Sequence, residues 1–214
     1  MTQNSTVRGA EGTLRIRPYR PSDRDAIGRI CVETGDSGQD ATGKFHDDQM
    51  LPMVYAYPYL EYAPELCWVV EQTGKVAGYI LGAQNVPDLN RWWMENWVPR
   101  LLESYPAEVG MDTQSKHLRA MALNPEYMRD DYRCEYPAEF HIDLLPSAQG
   151  QGAGRALIEE FTGTLRKHQV PGVAIGVSAQ NQNALGFYNR LGFEVLETHS
   201  ADGEPVGFML KLDL

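Results

Sequence analysis

Cysteine is scarce in this 214-residue chain. Cys31, Cys67 and Cys134 are the only three, and their wide separation excludes both a disulfide framework and a zinc site built on paired thiolates. Positive charge is short as well, with 19 Lys and Arg against 29 Asp and Glu and a formal net charge of -10. Such a surface repels polyanions, so neither nucleic acid nor an anionic membrane is an expected partner. Long apolar runs are missing: residues 1–12 hold no hydrophobic stretch for a signal peptide, and no run approaches the roughly 20 residues that span a bilayer. A soluble, cytoplasmic protein is expected. Internal repeats and low-complexity tracts are also absent.

What is present is enough for one core. At 43% hydrophobic content, a chain of this length supports one domain and leaves little room for a second. We expect a flexible tail over residues 1–12 and a single domain over 13–214. Leu14 and Ile16 alternate with Arg15 and Arg17 as a first strand. Ser22 is the expected N-cap of a helix burying Ala26, Ile27, Ile30 and Cys31. Residues 34–48 are polar and rich in Gly, Asp and His and read as a loop. Its irregular Asp and His spacing gives no metal site. A second helix is expected over 49–59. Thr73-Gly74 and Asp202-Gly203 each separate two strand-like runs and mark hairpins. Asp88 is the expected cap of a helix carrying Trp92, Trp93 and Trp97; positions 93 and 97 share a face and 92 lies about 100° away.

The most informative stretch runs from Phe140 to Ile158. Phe140, Ile142 and Leu144 alternate with His141 and Asp143, the period of a strand with one apolar face, and Pro146 ends it because it has no N–H to give. From Ala153 the apolar residues Ala153, Leu157, Ile158, Phe161 and Leu165 fall on one helix face. Gly150, Gly152 and Gly154 therefore lie where a strand becomes a helix N-terminus. Unpartnered amides and the positive end of the helix dipole make that junction a cradle for a pyrophosphate. A P-loop would need Lys and Ser or Thr where Arg155 and Ala156 stand, and a dinucleotide fingerprint would need Gly at 155. What remains is Q-x-x-G-x-G, carried by Gln149, Gly152 and Gly154.

Downstream, Asn181, Ala184, Phe187, Tyr188, Gly192 and Phe193 match N-x-x-A-x-x-F-Y-x-x-x-G-F at every fixed position. Together the two motifs resemble the GNAT N-acetyltransferase superfamily. The resemblance implies an α/β fold with a mixed central β-sheet of about six to seven strands flanked by helices, and an insertion at about 87–135 relative to a minimal member. It implies acetyl-CoA as co-substrate, no metal, a primary amine acceptor and, as is common in the family, a homodimer. It assigns the pantetheine arm to the backbone at Leu144 and Leu145. The phosphates fall to Gln149, Gly150, Gln151, Gly152, Ala153, Gly154 and Arg155, with further contacts at Asn181, Ala184, Phe187 and Tyr188. Tyr188 is implied as the group that protonates the departing sulfur. Residues 50–214, including Phe140-His141-Ile142-Asp143, further resemble the acetyltransferase-like C-terminal domain of eukaryotic O-GlcNAcase, without room for a glycosidase barrel.

Glu139, His141 and Asp143 share one strand face, and such side chains on a central strand need a water-filled cleft. That face is the expected acceptor side. Asp143 is the first candidate base, His141 follows for its near-neutral pKa and Glu139 comes third; the alternative is a structural tie to the loop at 34–48. No cysteine lies in either motif, so acetyl transfer would be direct, in a ternary complex. Two rivals stay open: an acetyl-CoA-binding module without turnover, and a nicotinamide-dependent oxidoreductase.

Overall fold

Two positive backbone angles at Thr73 (φ 49°) and Gly74 (φ 79°) match the type I′ turn that suits twisted antiparallel strands. They close the hairpin at the centre of the molecule. The computed structural model describes residues 5–9, 12–124 and 131–214. In chain order these form β1 (Ser5–Gly9), β2 (Gly12–Pro18), α1 (Arg24–Glu33), α2 (Met50–Tyr55), α3 (Tyr57–Tyr62), β3 (Cys67–Gln72), β4 (Lys75–Ala83), α4 (Val86–Trp92), α5 (Val98–Ser104) and α6 (Thr113–Leu123). After these come β5 (Glu139–Leu144), α7 (Ala153–Lys167), β6 (Gly172–Ser178), α8 (Gln182–Arg190), β7 (Glu194–Ala201) and β8 (Glu204–Asp213).

Strands β1-β2-β3-β4-β5 make one antiparallel sheet, and β6-β8-β7 make another. Among the described residues a single parallel bridge, Ala138 to Val173, joins them. Ala138 donates to the Gly172 carbonyl at 3.3 Å and accepts from the Ala174 amide at 2.9 Å. Past that point β5 and β6 make no further ladder among the described residues, so the α/β sheet is split into a wedge. By the period of two, the backbone groups of Phe140, Ile142 and Leu144 face this gap, while those of residues 139, 141 and 143 pair with β4. The Leu145 amide, in phase with the latter set, donates to Ala77 at 2.9 Å.

Side chains of the central strands divide by the same period. Val69, Tyr79 and Leu81 join α1, α2, α3 and the 87–135 segment in one core. Trp68, Val70, Ile80 and Phe140 meet Leu157, Phe161 and Leu165 of α7 in the other.

Several sequence expectations change. Ser5–Gly9 is a strand paired with β2 rather than part of a loose tail; residues 1–4, 10 and 11 lie outside the described set. Ser22 does not cap α1. Asp23 closes that corner, accepting from the Arg20 amide at 2.8 Å and from Arg17 at 2.7 and 2.8 Å, because a carboxylate can serve a buried guanidinium and an amide together. The helix expected over 49–59 breaks at Ala56, where φ is -130°, into α2 and α3. α4 is capped by Asn85, whose side chain accepts from the Asp88 amide at 3.1 Å, so Asp88 lies inside the helix. Trp93 and Trp97 are each 1% exposed. Their indole N–H groups donate to the carbonyls of Ala122 at 2.9 Å and Met53 at 2.8 Å, which makes this part of the insertion core. Trp92 is half-buried and stacks on Trp97. Residues 125–130 of the insertion are outside the described set.

Candidate active site

The glycine loop is built by backbone conformation. β5 stops at Leu144 and a 3-10 turn at Pro146–Ala148 follows. Gly150 (φ 69°) and Gly152 (φ 84°) then take left-handed conformations, with Gly152 as N-cap of α7. Only glycine adopts these cheaply. The Gly152 carbonyl accepts from the Ala156 amide at 3.1 Å, so the amides of Ala153, Gly154 and Arg155 have no carbonyl one turn back. Gly154 has a different task from its neighbours: a Cβ there would lie 3.0 Å from the Phe187 ring and 3.4 Å from Leu144. Its absence lets α7 close on α8. Gln149 donates to the Leu144 carbonyl at 2.8 Å and Gln151 to the Ser147 carbonyl at 2.5 Å, so both amides brace the loop. Arg155 is exposed at the helix mouth, and the Gln151 side-chain carbonyl is buried without a partner. Left-handed glycines, free amides and a nearby guanidinium are the donor set a diphosphate requires.

α8 packs beside this loop. Asn181 caps it, accepting from the Ala184 amide at 3.0 Å, so half of its side chain is committed to the helix. Tyr188 is 8% exposed among Phe140, Phe187 and Phe193, with ring centroids 5.3 to 6.2 Å apart. Its hydroxyl makes no hydrogen bond among the described residues. Burial, helped by the nearby Asp143 carboxylate, pushes its pKa above the ordinary tyrosine value. Ala184, Leu185 and Phe187 are half-buried and leave an apolar wall open beside the gap.

On the opposite face of β5 the three acidic and imidazole groups divide. Asp143 sits across from Tyr79 in the register of β4 and β5, and the Tyr79 hydroxyl donates to Asp143 Oδ2 at 2.5 Å. Burial raises the Asp143 pKa to about 6, opposed by the hydroxyls of Tyr79 and Thr34. His141 lies against the rings of Tyr55 and Tyr59, with centroids at 5.4 and 5.1 Å, and burial lowers its pKa. Both residues keep a partial solvent face. Glu139 does not. It is buried, paired with Arg133 at 3.1 Å, and accepts from Tyr59 at 2.8 Å. That corrects its place among the bases: both its carboxylate oxygens are already engaged, one by Arg133 and one by Tyr59, and it has no open face toward the cleft. The tie to residues 34–48 is made by Asp143, which the Thr34 hydroxyl contacts, whereas Glu139 is held by α3 and by the 3-10 turn Asp131–Cys134.

The loop at 34–48 spends its acids on itself. Asp40 accepts from the Thr42 amide, Asp48 from the Gly43 amide, and Asp36 pairs with Lys44. Asp47 accepts from the Gln49 amide and the Tyr105 hydroxyl. Among the described residues no group of three His, Cys, Asp or Glu side chains is gathered for a metal. Sequence reasoning missed Tyr59, Tyr79 and Arg133. Tyr79 could have been found as a polar tip in an otherwise apolar strand, and Tyr59 as a phenol at the end of the helix expected over 49–59; Arg133 carried no signal.

Known proteins share this architecture. Residues 36–193 match the sequence profile of the Acetyltransferase (GNAT) family. The chain is 22% identical over 184 residues to Protein O-GlcNAcase of Rattus norvegicus, covering 84% of this chain but 20% of that protein; it thus spans about a fifth of that relative's length. It is 32% identical over 117 residues to Peptidyl-lysine N-acetyltransferase YjaB of Salmonella typhimurium, covering 52% of this chain and 68% of that one. The crystal structure of SsHAT superposes with a TM-score of 0.85 and 34% identity, over 94% of this chain and 98% of the other. The structure of yncA from Salmonella typhimurium with its cofactor acetyl-CoA shares the fold, at a TM-score of 0.55 and 16% identity over 94% and 93% of the two chains. On these grounds the chain belongs to the acetyltransferase (GNAT) family.

Proposed function

We propose that this domain transfers an acetyl group from acetyl-CoA to a primary amine, by direct attack in a ternary complex. The observation that carries the reading is the junction of β5 and α7. Two left-handed glycines present free helix amides to a diphosphate, at the end of a strand whose backbone faces an open gap. Gln149 to Arg155 would hold the phosphates. The backbone of Ile142 and Leu144 would receive the pantetheine arm; the Leu145 amide is spent on Ala77. Bound acetyl-CoA supplies the activated thioester. The Leu144 amide is the candidate donor to an acyl oxygen that gains charge, the role of an oxyanion donor.

Tyr188, with its pKa raised, stays protonated through the neutral range, the state a proton donor to a leaving thiolate requires. Asp143, half-ionised near pH 6, is the candidate acceptor of the ammonium proton. Asn181, Ala184 and Phe187 complete the wall along the cofactor.

We place the activity in the cytoplasm, where free thiols persist, with acetyl-CoA and the amine as substrates and a second copy of the chain as a candidate partner. Among the described residues no helix is long and apolar enough to cross a membrane, and the acidic surface disfavours nucleic acid. The test is release of free thiol from acetyl-CoA against a panel of lysine peptides, amino sugars and polyamines. Amine-dependent release supports the reading; tight cofactor binding with no release from any amine contradicts it.

A further inference from the structure

Four side chains from three elements form a directed chain behind the acceptor face. Tyr59 Oη on α3 lies 2.8 Å from Glu139 Oε1 and 3.2 Å from His141 Nε2. Glu139 Oε2 takes Arg133 Nη2 at 3.1 Å. A phenol has one proton, and a carboxylate beside a guanidinium can only accept. The Tyr59 proton therefore goes to Glu139, which leaves the Tyr59 oxygen as an acceptor toward the imidazole. In neutral His141 the proton must then sit on Nε2, and Nδ1 is bare.

We propose that Tyr59 is a positioning residue that fixes the tautomer of His141, making Nδ1 a second proton-accepting atom on the acceptor side of the cleft, beside Asp143. This deepens the acetyl-transfer reading and rests on it for its catalytic consequence, though not for the tautomer. Tyr59 is 1% exposed and Glu139 8%, whereas His141 is only partly buried. A proton leaving the amine breaks one N–H bond and forms another at Nδ1. The resulting imidazolium directs Nε2–H through Tyr59 toward the Glu139 carboxylate, and Nδ1 then returns the proton to water. The groups facing His141 are Tyr55 of α2, Tyr59 of α3, and Glu139 and Asp143 of its own strand. Leu81 lies across on β4, and Arg133 acts through Glu139.

The test is nitrogen-detected NMR of the full chain with labelled histidine, across the neutral range. The expected result is a His141 signal with Nε2 protonated and Nδ1 bare, changing to a mixture of tautomers in Tyr59→Phe. The same variant is expected to lose on the order of ten-fold in kcat/KM, the scale of a weakened general base. A wild-type signal with Nδ1 protonated overturns the proposal, even if Tyr59→Phe fails to fold. So does an unchanged tautomer in a folded Tyr59→Phe. Protonated Nε2 without turnover on any amine would leave this assignment standing and sink the acetyl-transfer reading instead.

Discussion

Replacing Arg133 with Met tests how the wedge is held open. The guanidinium sits where β5 and β6 last touch. It pairs with Glu139 at 3.1 Å and donates to the carbonyls of Ala138 and Ala174 at 3.4 Å each. The side chains of the ion pair are 6% and 10% exposed. Removing the cation leaves a carboxylate in the core with only Tyr59 to satisfy it, which costs about 3–5 kcal/mol. Ala138 loses little, because its carbonyl still accepts from the Ala174 amide. Against a total stability of about 5–15 kcal/mol, the variant should be marginal. With a slope of about 2 kcal/mol per molar urea, the unfolding midpoint should fall by roughly 2 M with the slope unchanged. Adding Glu139→Gln to Arg133→Met removes the stranded charge while keeping an acceptor for Tyr59, so the double variant should recover more than half the loss. A loss below about 1 kcal/mol, or a double variant no better than the single, would refute a buried charge that needs its partner.

Two further predictions share Asp143. If it accepts the ammonium proton, kcat/KM should fall as pH drops through about 6, and Asp143→Asn should abolish that limb; a variant that keeps the wild-type profile shape excludes the aspartate. Burial raises its folded pKa above its unfolded value, so it favours folding below pH ~4 and that contribution is lost as pH rises toward about 6. Across that window the stability of the wild type relative to Asp143→Asn should decline by up to roughly 3 kcal/mol, measured by urea unfolding at each pH; a flat difference contradicts the burial argument.

Local patterns carried most of the architecture. The alternation from Phe140 to Leu144, the stop at Pro146 and the helix face from Ala153 predict β5 and α7, and the pairs Thr73-Gly74 and Asp202-Gly203 predict both hairpins. All of these are set by residues within a turn or two of one another. The long-range partners were not legible. Tyr59 and Glu139 stand 80 residues apart and Tyr79 and Asp143 stand 64, and no periodicity in either segment names its partner. The same-face reading of Glu139, His141 and Asp143 holds, yet the sequence could not separate the buried member from the two that keep a solvent face, because the difference is made by Arg133 from another segment. β1 escaped notice because Ser5–Gly9 is a short edge strand with one large apolar residue, stabilised by pairing rather than by its own pattern.

The central claim is that the bend between β5 and α7 grips acetyl-CoA. Its most direct measurement is calorimetric binding of acetyl-CoA to the wild type and to Gly152→Val. A side chain branched at Cβ is strained at the φ of 84° and distorts the free amides. Micromolar-class binding by the wild type, lost in a folded Gly152→Val, is the predicted result. Absent binding by the wild type, or equal binding by both proteins, would contradict the account.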